Sequence, residues 1–244
     1  MEKKYRTEKE GNMLRIIALK DLSNVNIKKG DKGGLIEKEE NLSQEGDCWV
    51  FKDACVYDDA RVFGNARVFG KAKVYGYARI SENAYVSENV EIYGNANVFE
   101  DAWVHGKAKV LGDVQVSGHA VIAGEAKVSG NAQVYGKAYV YGWTEVSDNA
   151  KVYGNAKICD ARIGENAVAC GYVKIFGKAK VGGNVKLWSS ALVDITDDIN
   201  IETNRDYVVS AFKKELYTIT LGDLGDYYNI TDVKRIRQVY GKEI

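Results

Sequence analysis

Proline is absent from this 244-residue chain, and methionine and histidine occur only twice each. Without proline no corner is set by a locked φ, so tight turns fall to glycine and to residues that tolerate the left-handed region. Two histidines cannot supply a three-histidine zinc site. The four cysteines, Cys48, Cys55, Cys159 and Cys170, form no CxxC pair and show no metal-ligand spacing. No metal or cofactor is therefore expected. Neither charge sign is in excess, with Lys+Arg and Asp+Glu both at 34, which argues against nucleic acid and anionic membrane as partners. No apolar run approaches the roughly 18–20 residues of a membrane span. The leading MEKKYRTEKEG is charged and lacks an apolar signal core. A reducing cytoplasm is the expected compartment.

What the chain does contain is a repeat. From Val50 to Ile158 every sixth residue is Val or Ile, and four residues after each comes Ala, with Val90, Val114 and Thr144 as the exceptions. Each hexad holds an in–out–in triplet such as Ala66-Arg67-Val68, the shortest strand alternation. The residues between triplets, such as Phe69-Gly70-Lys71, suit a corner where positive φ is wanted. Hexads of this kind build parallel β-helices. Three close one triangular coil of 18 residues, so residues 18 apart stack. The register slips at Ile158–Arg162, one residue short, then resumes at Ile163 and fades at Val193. The slip predicts an inward Ala161 and a corner in which Asp160 stands for two turn residues. Counting hexads from Val50 gives 8 coils, a rod of about 38 Å at the usual strand spacing.

The expected organisation is a tail and cap over 1–47, the all-β helix over 48–193, and a small α+β appendage over 194–244. Within the cap, Met13–Leu19 reads as a strand and Gly30, Gly33 and Gly34 as tight turns. Within the appendage, Tyr207–Phe212 and Leu216–Leu221 read as strands, and Thr231 as the N-cap of a helix through about Val239.

Stacking by 18 sorts the outward residues onto three faces. Cys55, Lys73, Glu91, Lys109, Lys127, Glu145, Arg162 and Lys180 form the first, and Arg61, Arg79, Asn97, Gln115, Gln133, Lys151, Val168 and Lys186 the second. Both read as solvated sheets of mixed sign, poor as phosphate tracks. The third reads Trp49, Arg67, Tyr85, Trp103, Val121, Tyr139, Lys157, Lys174, Leu192, with Phe69, His105 and Tyr141 on the adjoining corner and Trp143 just past it. A contiguous outward stripe of Trp and Tyr points to a protein interface, with a second copy or a foreign protein as partner. Cover by the C-terminal appendage is the intramolecular alternative. Tyr57, Tyr75 and Tyr93, and Phe63, Phe99, Tyr135 and Tyr153, form corner ladders read as structural ring stacks.

The run GDKGGLIEKEENLSQEGDCWV, Gly30 to Val50, leading into VFGNARVFGKAKVYG, resembles the YdcK-type hexapeptide-repeat proteins of bacteria, phages and prophages, over about residues 13–193. The resemblance implies a left-handed helix. Its phage side implies a host-directed role in the host cytoplasm, such as inhibition of a defence system. Family members are described as acyltransferases by analogy of fold, which implies an alternative: an acyl-CoA-dependent acyltransferase at a subunit interface. His105 is the one candidate base for it. Against that role, no insertion offers a lid, and the 18-residue stack gives His105 only Ser87 and Ala123 as neighbours. His119, at a turn, reads as structural. Cys159 and Cys170 lie at corners with no basic cluster to lower a thiol pKa. The expectation is a non-enzymatic, homo-oligomeric binding or scaffold protein.

Overall fold

A computed structural model describes residues 3–195, 200–201, 207–212, 215–220 and 234–235, with side chains through Trp188. It is a parallel β-solenoid of about 9 turns. Each turn places a two-residue rung on each of three faces, and rungs stack in parallel register, as in Arg67↔Tyr85↔Trp103↔Val121↔Tyr139↔Lys157. The Val/Ile and Ala phases point inward and are almost without exception 0% exposed, making one continuous core column. Small side chains are obligatory here because three facing walls share one narrow interior.

Corners turn on a residue with positive φ. At Gly94, with φ of 75°, an added Cβ would lie 2.7 Å from the amide nitrogen of Gly112 in the next coil. Seven corners use an acid instead: Asp58, Glu82, Glu88, Glu100, Asp148, Asp160 and Glu165. The carboxylate of several accepts an amide N–H from the corner above. Gly76 donates to Asp58 (3.0 Å), Glu165 to Asp148 (2.9 Å) and Gly183 to Glu165 (2.5 Å). That bond offsets the cost of forcing a side chain into the left-handed region. Beside these corners, side-chain amides form vertical ladders, including Asn131 to Asn149 and on through Asn166 to Asn184.

The repeat begins before Val50. Strands β1 (Tyr5–Glu10) and β2 (Met13–Ala18) form an antiparallel hairpin, and β3 (Lys32–Ile36) joins β2. β3 is already a first-face rung, pairing in parallel with Cys55–Val56. Leu42 bridges Val62, and Trp49–Val50 pairs with Arg67–Val68, so the expected cap supplies a whole coil. Gly30 turns, with φ of 94°, but Gly33 and Gly34 lie within β3. They are glycines because the backbone of Val50 and Phe51 presses against them: a Cβ on Gly34 would meet the Phe51 carbonyl oxygen at 2.5 Å.

The first coil has no coil beneath it to hydrogen-bond its outward-pointing backbone, and the cap supplies the partners. Lys4, wholly buried, donates its ammonium to the carbonyls of Cys48 (2.9 Å) and Gly46 (3.2 Å), and burial lowers its pKa. The Tyr5 hydroxyl donates to the Leu42 carbonyl at 2.7 Å. Arg15 donates to the carbonyls of Gly33 (2.9 Å) and Lys52 (2.6 Å) while forking onto Glu10.

The register defect is as expected. Asp160 takes φ of 57° and Ala161 stays inward at 1% exposure. The Trp143 N–H is accepted by the Asp160 carboxylate at 2.7 Å. Thr144, a Thr in the Ala phase directly below, donates its hydroxyl to the Tyr141 carbonyl at 2.6 Å.

At the other end, Val168–Ile175 and Val185–Ile195 run through a corner as continuous strands, merging the second and third faces into one sheet. Their register shifts, so Lys174 pairs with Asp194 and Leu192 does not continue the third-face column. Tyr207–Phe212 pairs in parallel with Val185–Ile195, and Glu215–Thr220 returns antiparallel. Of the helix expected from Thr231 to Val239, Lys234–Arg235 instead form a strand against Glu215–Thr220; the rest lies outside the described residues.

Candidate functional site

The third face carries an aromatic column held by ring stacking between rungs. Phe51 lies on Phe69 at 3.8 Å between centroids, and Phe69 on Tyr85 at 4.6 Å. Tyr85 meets Trp103 edge-on at 5.6 Å, and Trp103 stacks on His105 at 4.6 Å. Higher up, Tyr139 lies on Tyr141 at 4.7 Å. Phe69, Tyr85, His105, Val121, Tyr139 and Tyr141 are half-buried, Trp103 is 45% exposed and Trp143 is 74% exposed. Large rings partly open to water, fixed in orientation by their neighbours, make a surface with little side-chain entropy left to lose.

Two corrections follow at the lower end. Trp49 shares the phase of the stripe but is 0% exposed, packed edge-on against Tyr5 at 6.4 Å, with its indole Nε1 buried and without a hydrogen-bond partner. The cap covers it, because the first coil is where the hairpin lands. Arg67 is also engaged, donating to the Asn24 carbonyl at 2.6 Å. The open stripe therefore begins at Phe51 and Phe69. Phe51 was visible in the sequence as the residue 18 before Phe69, one place past Val50 in the first hexad.

The described C-terminal strands extend the second face, with Lys186 paired to Val208, and so continue the rod. Lys157 sits above Tyr139 in register and is exposed.

Around His105 the structure adds a carboxylate. Glu88 Oε1 is 3.9 Å from His105 Nδ1, an ion-pair distance but too long for a hydrogen bond. Column reasoning gave Ser87 as the neighbour. Glu88, one residue later at a corner with φ of 67°, swings its carboxylate toward the ring. His119 is exposed, with Nδ1 3.6 Å from Asp101. Burial pushes the Cys159 and Cys170 thiols up, which disfavours thiolate chemistry at either. Among the described residues, no group of three or more His, Cys, Asp or Glu side chains could hold a metal ion.

The concave surface lies elsewhere, along the seam between the Glu39–Asn41 turn and the lowest rungs. Of three depressions of about 340, 390 and 340 Å³, the first shares Glu40 and Arg61 with the second and Lys38 and Asp59 with the third. The second face that borders this seam is not of mixed sign: none of its eight outward residues is a carboxylate.

Comparison with known proteins gives repeats and fold. The family described as the YdcK β-solenoid repeat matches residues 60–76. No curated protein matches the sequence. Among solved structures, the UDP-N-acetylglucosamine O-acyltransferase of Moraxella catarrhalis is 12% identical over 72% of this chain and 73% of its own, with a TM-score of 0.32. The UDP-N-acetylglucosamine acyltransferase of Campylobacter jejuni is 14% identical over 66% and 73%, with a TM-score of 0.33. Likeness of this degree carries no argument about activity. This chain is a β-solenoid of hexapeptide repeats, with one stretch of rungs, Ala60 to Gly76, similar to the YdcK β-solenoid repeat.

Proposed function

We propose that this chain is a non-enzymatic protein-binding solenoid whose third face receives a second copy of itself. The observation that supports this reading is the fixed, half-open aromatic column from Phe69 to Trp143. The four central rungs, Tyr85, Trp103, Val121 and Tyr139, are self-complementary. A two-fold axis between Trp103 and Val121 sets each indole against the smaller Val121 of the other copy and Tyr85 against Tyr139. A host protein, the partner class that the sequence resemblance implies, is the competing occupant.

Trp103→Arg tests this. Its neighbours Ala102 and Val104 are the inward residues, so the rod keeps its core. Sedimentation should show oligomers at micromolar concentration becoming monomers, as central interface Trp residues typically contribute about 2 kcal/mol or more. A monomeric wild type that loses a co-purifying host protein on substitution would replace self-association with a foreign partner. No change in mass or partners would remove the reading.

The pairing of His105 with Glu88 keeps one alternative in view, an acyl transferase with a carboxylate-oriented base. Saturable acetyl-CoA binding that responds to His105→Ala would favour it.

A further inference from the structure

We propose that Arg61 and Arg79 form a site for the oxyanion of a small organic ligand, a phosphate monoester being the form whose charge fits. This site is on a different face from the aromatic column and does not rest on the reading above.

The two arginines occupy adjacent outward rungs, paired in register, which brings two positive charges close together. The first face relieves such repulsion. There Lys109 pairs with Glu91 (3.1 Å), and Lys127 (3.7 Å) and Arg162 (3.6 Å) share Glu145. Among the described residues neither Arg61 nor Arg79 has an ion pair, and Asp59, in the adjoining wall, is bonded to Lys38 at 2.5 Å. Arg79 is held in place with its guanidinium 5.3 Å from the Phe63 ring centroid, a cation–π contact that leaves its edge donors free.

Both arginines line the 390 Å³ depression, with Ser43, Val62, Phe63 and Glu40 completing it. Two guanidiniums offer forked donors matched to a tetrahedral oxyanion, and a dianion meets both of them against the single opposing charge of Glu40. The hydroxyl of Ser43 adds a polar partner. The space is larger than an inorganic phosphate fills, and Phe63 gives its remainder an apolar wall for an organic group. Glu40, without an ion pair, repels a second anionic group, so the site suits a single phosphate over a polyanion.

Calorimetric titration at pH 7.5 with phenyl phosphate, inorganic phosphate and benzoate tests the assignment. Phenyl phosphate should bind saturably and more tightly than inorganic phosphate. Arg61→Gln and Arg79→Gln should each weaken binding about tenfold or more, and Lys151→Gln, far along the same face, should not. All three residues point outward over intact inward neighbours, so circular dichroism melts should coincide with wild type and confirm that the fold is unchanged. No saturation by about 20 mM ligand, or binding indifferent to both arginine changes, would overturn the site. Benzoate binding as tightly as phenyl phosphate would overturn the choice of a dianion.

Discussion

Removing the hydroxyl of Thr144 should be costly, although it restores the apolar character of the repeat. In many corners the residue of the Ala phase donates its own N–H back to the first corner residue, as Ala60 does to Tyr57 and Ala78 to Tyr75. Under the one-residue deletion at Asp160, Thr144 bonds Tyr141 instead through its hydroxyl, at 2.6 Å, and approaches the Ile158 carbonyl at 3.3 Å. It does so at 1% exposure, where water cannot substitute. Thr144→Val keeps shape and volume but leaves buried carbonyl acceptors short of a donor, at about 1–3 kcal/mol. For a chain of this length that is a fall in Tm of roughly 2–4 °C per kcal/mol. Urea unfolding followed by circular dichroism would measure it. Inserting Gly after Asp160 restores the missing corner residue and should be tolerated or mildly stabilising. In that background Thr144→Val should be close to neutral, since the deletion is what the hydroxyl compensates. A Thr144→Val chain as stable as wild type, or an equal loss with and without the insertion, would refute this account of the defect.

Three further outcomes follow from the geometry. Trp49→Arg should destabilise the cap by about 3–5 kcal/mol, measured by urea unfolding, with partner binding lost only through unfolding. Trp49→Phe should be well tolerated, because the ring packing on Tyr5 is kept and the buried, unpartnered Nε1 is removed, as thermal melts would report. The Glu165 N–H, followed by the Ser147 hydroxyl, holds the Asp148 carboxyl below its usual range. A depressed folded pKa means a contribution present above the unfolded value of about 3.9 and lost as pH falls through the folded one. Asp148→Asn should therefore lower stability slightly at neutral pH and leave it little changed at the acid end, which flattens the acid limb of the stability–pH curve.

The inward column was legible from Val50 to Leu187 because a side chain that must fit a three-walled interior has few options, and the period of six repeats that constraint. The face columns were legible for the same reason. What escaped was whatever depends on a departure from the period. The inward Ile36, Leu42 and Val50 are six and eight residues apart, so the first coil looked like a cap, and Trp49 looked exposed when the hairpin of Tyr5 lies over it. Glu88 escaped because a long side chain at a corner reaches the next column, and column arithmetic follows only the backbone. The arginine pair was written plainly in the second face. It was overlooked because that face was averaged with one that carries counter-charges.

Because each regular rung rests on the one 18 residues away, and the irregular coils depart by only a few residues, the coils close loops of nearly the same length whatever the size of the rod. Loop-closure entropy is then a fixed toll per coil and does not grow with the chain. Vectorial synthesis delivers the Lys4–Tyr5 hairpin and the first coil before any other, so each later coil meets a finished surface as it leaves the ribosome. A solenoid built in this way can lengthen by whole coils without slowing its own assembly.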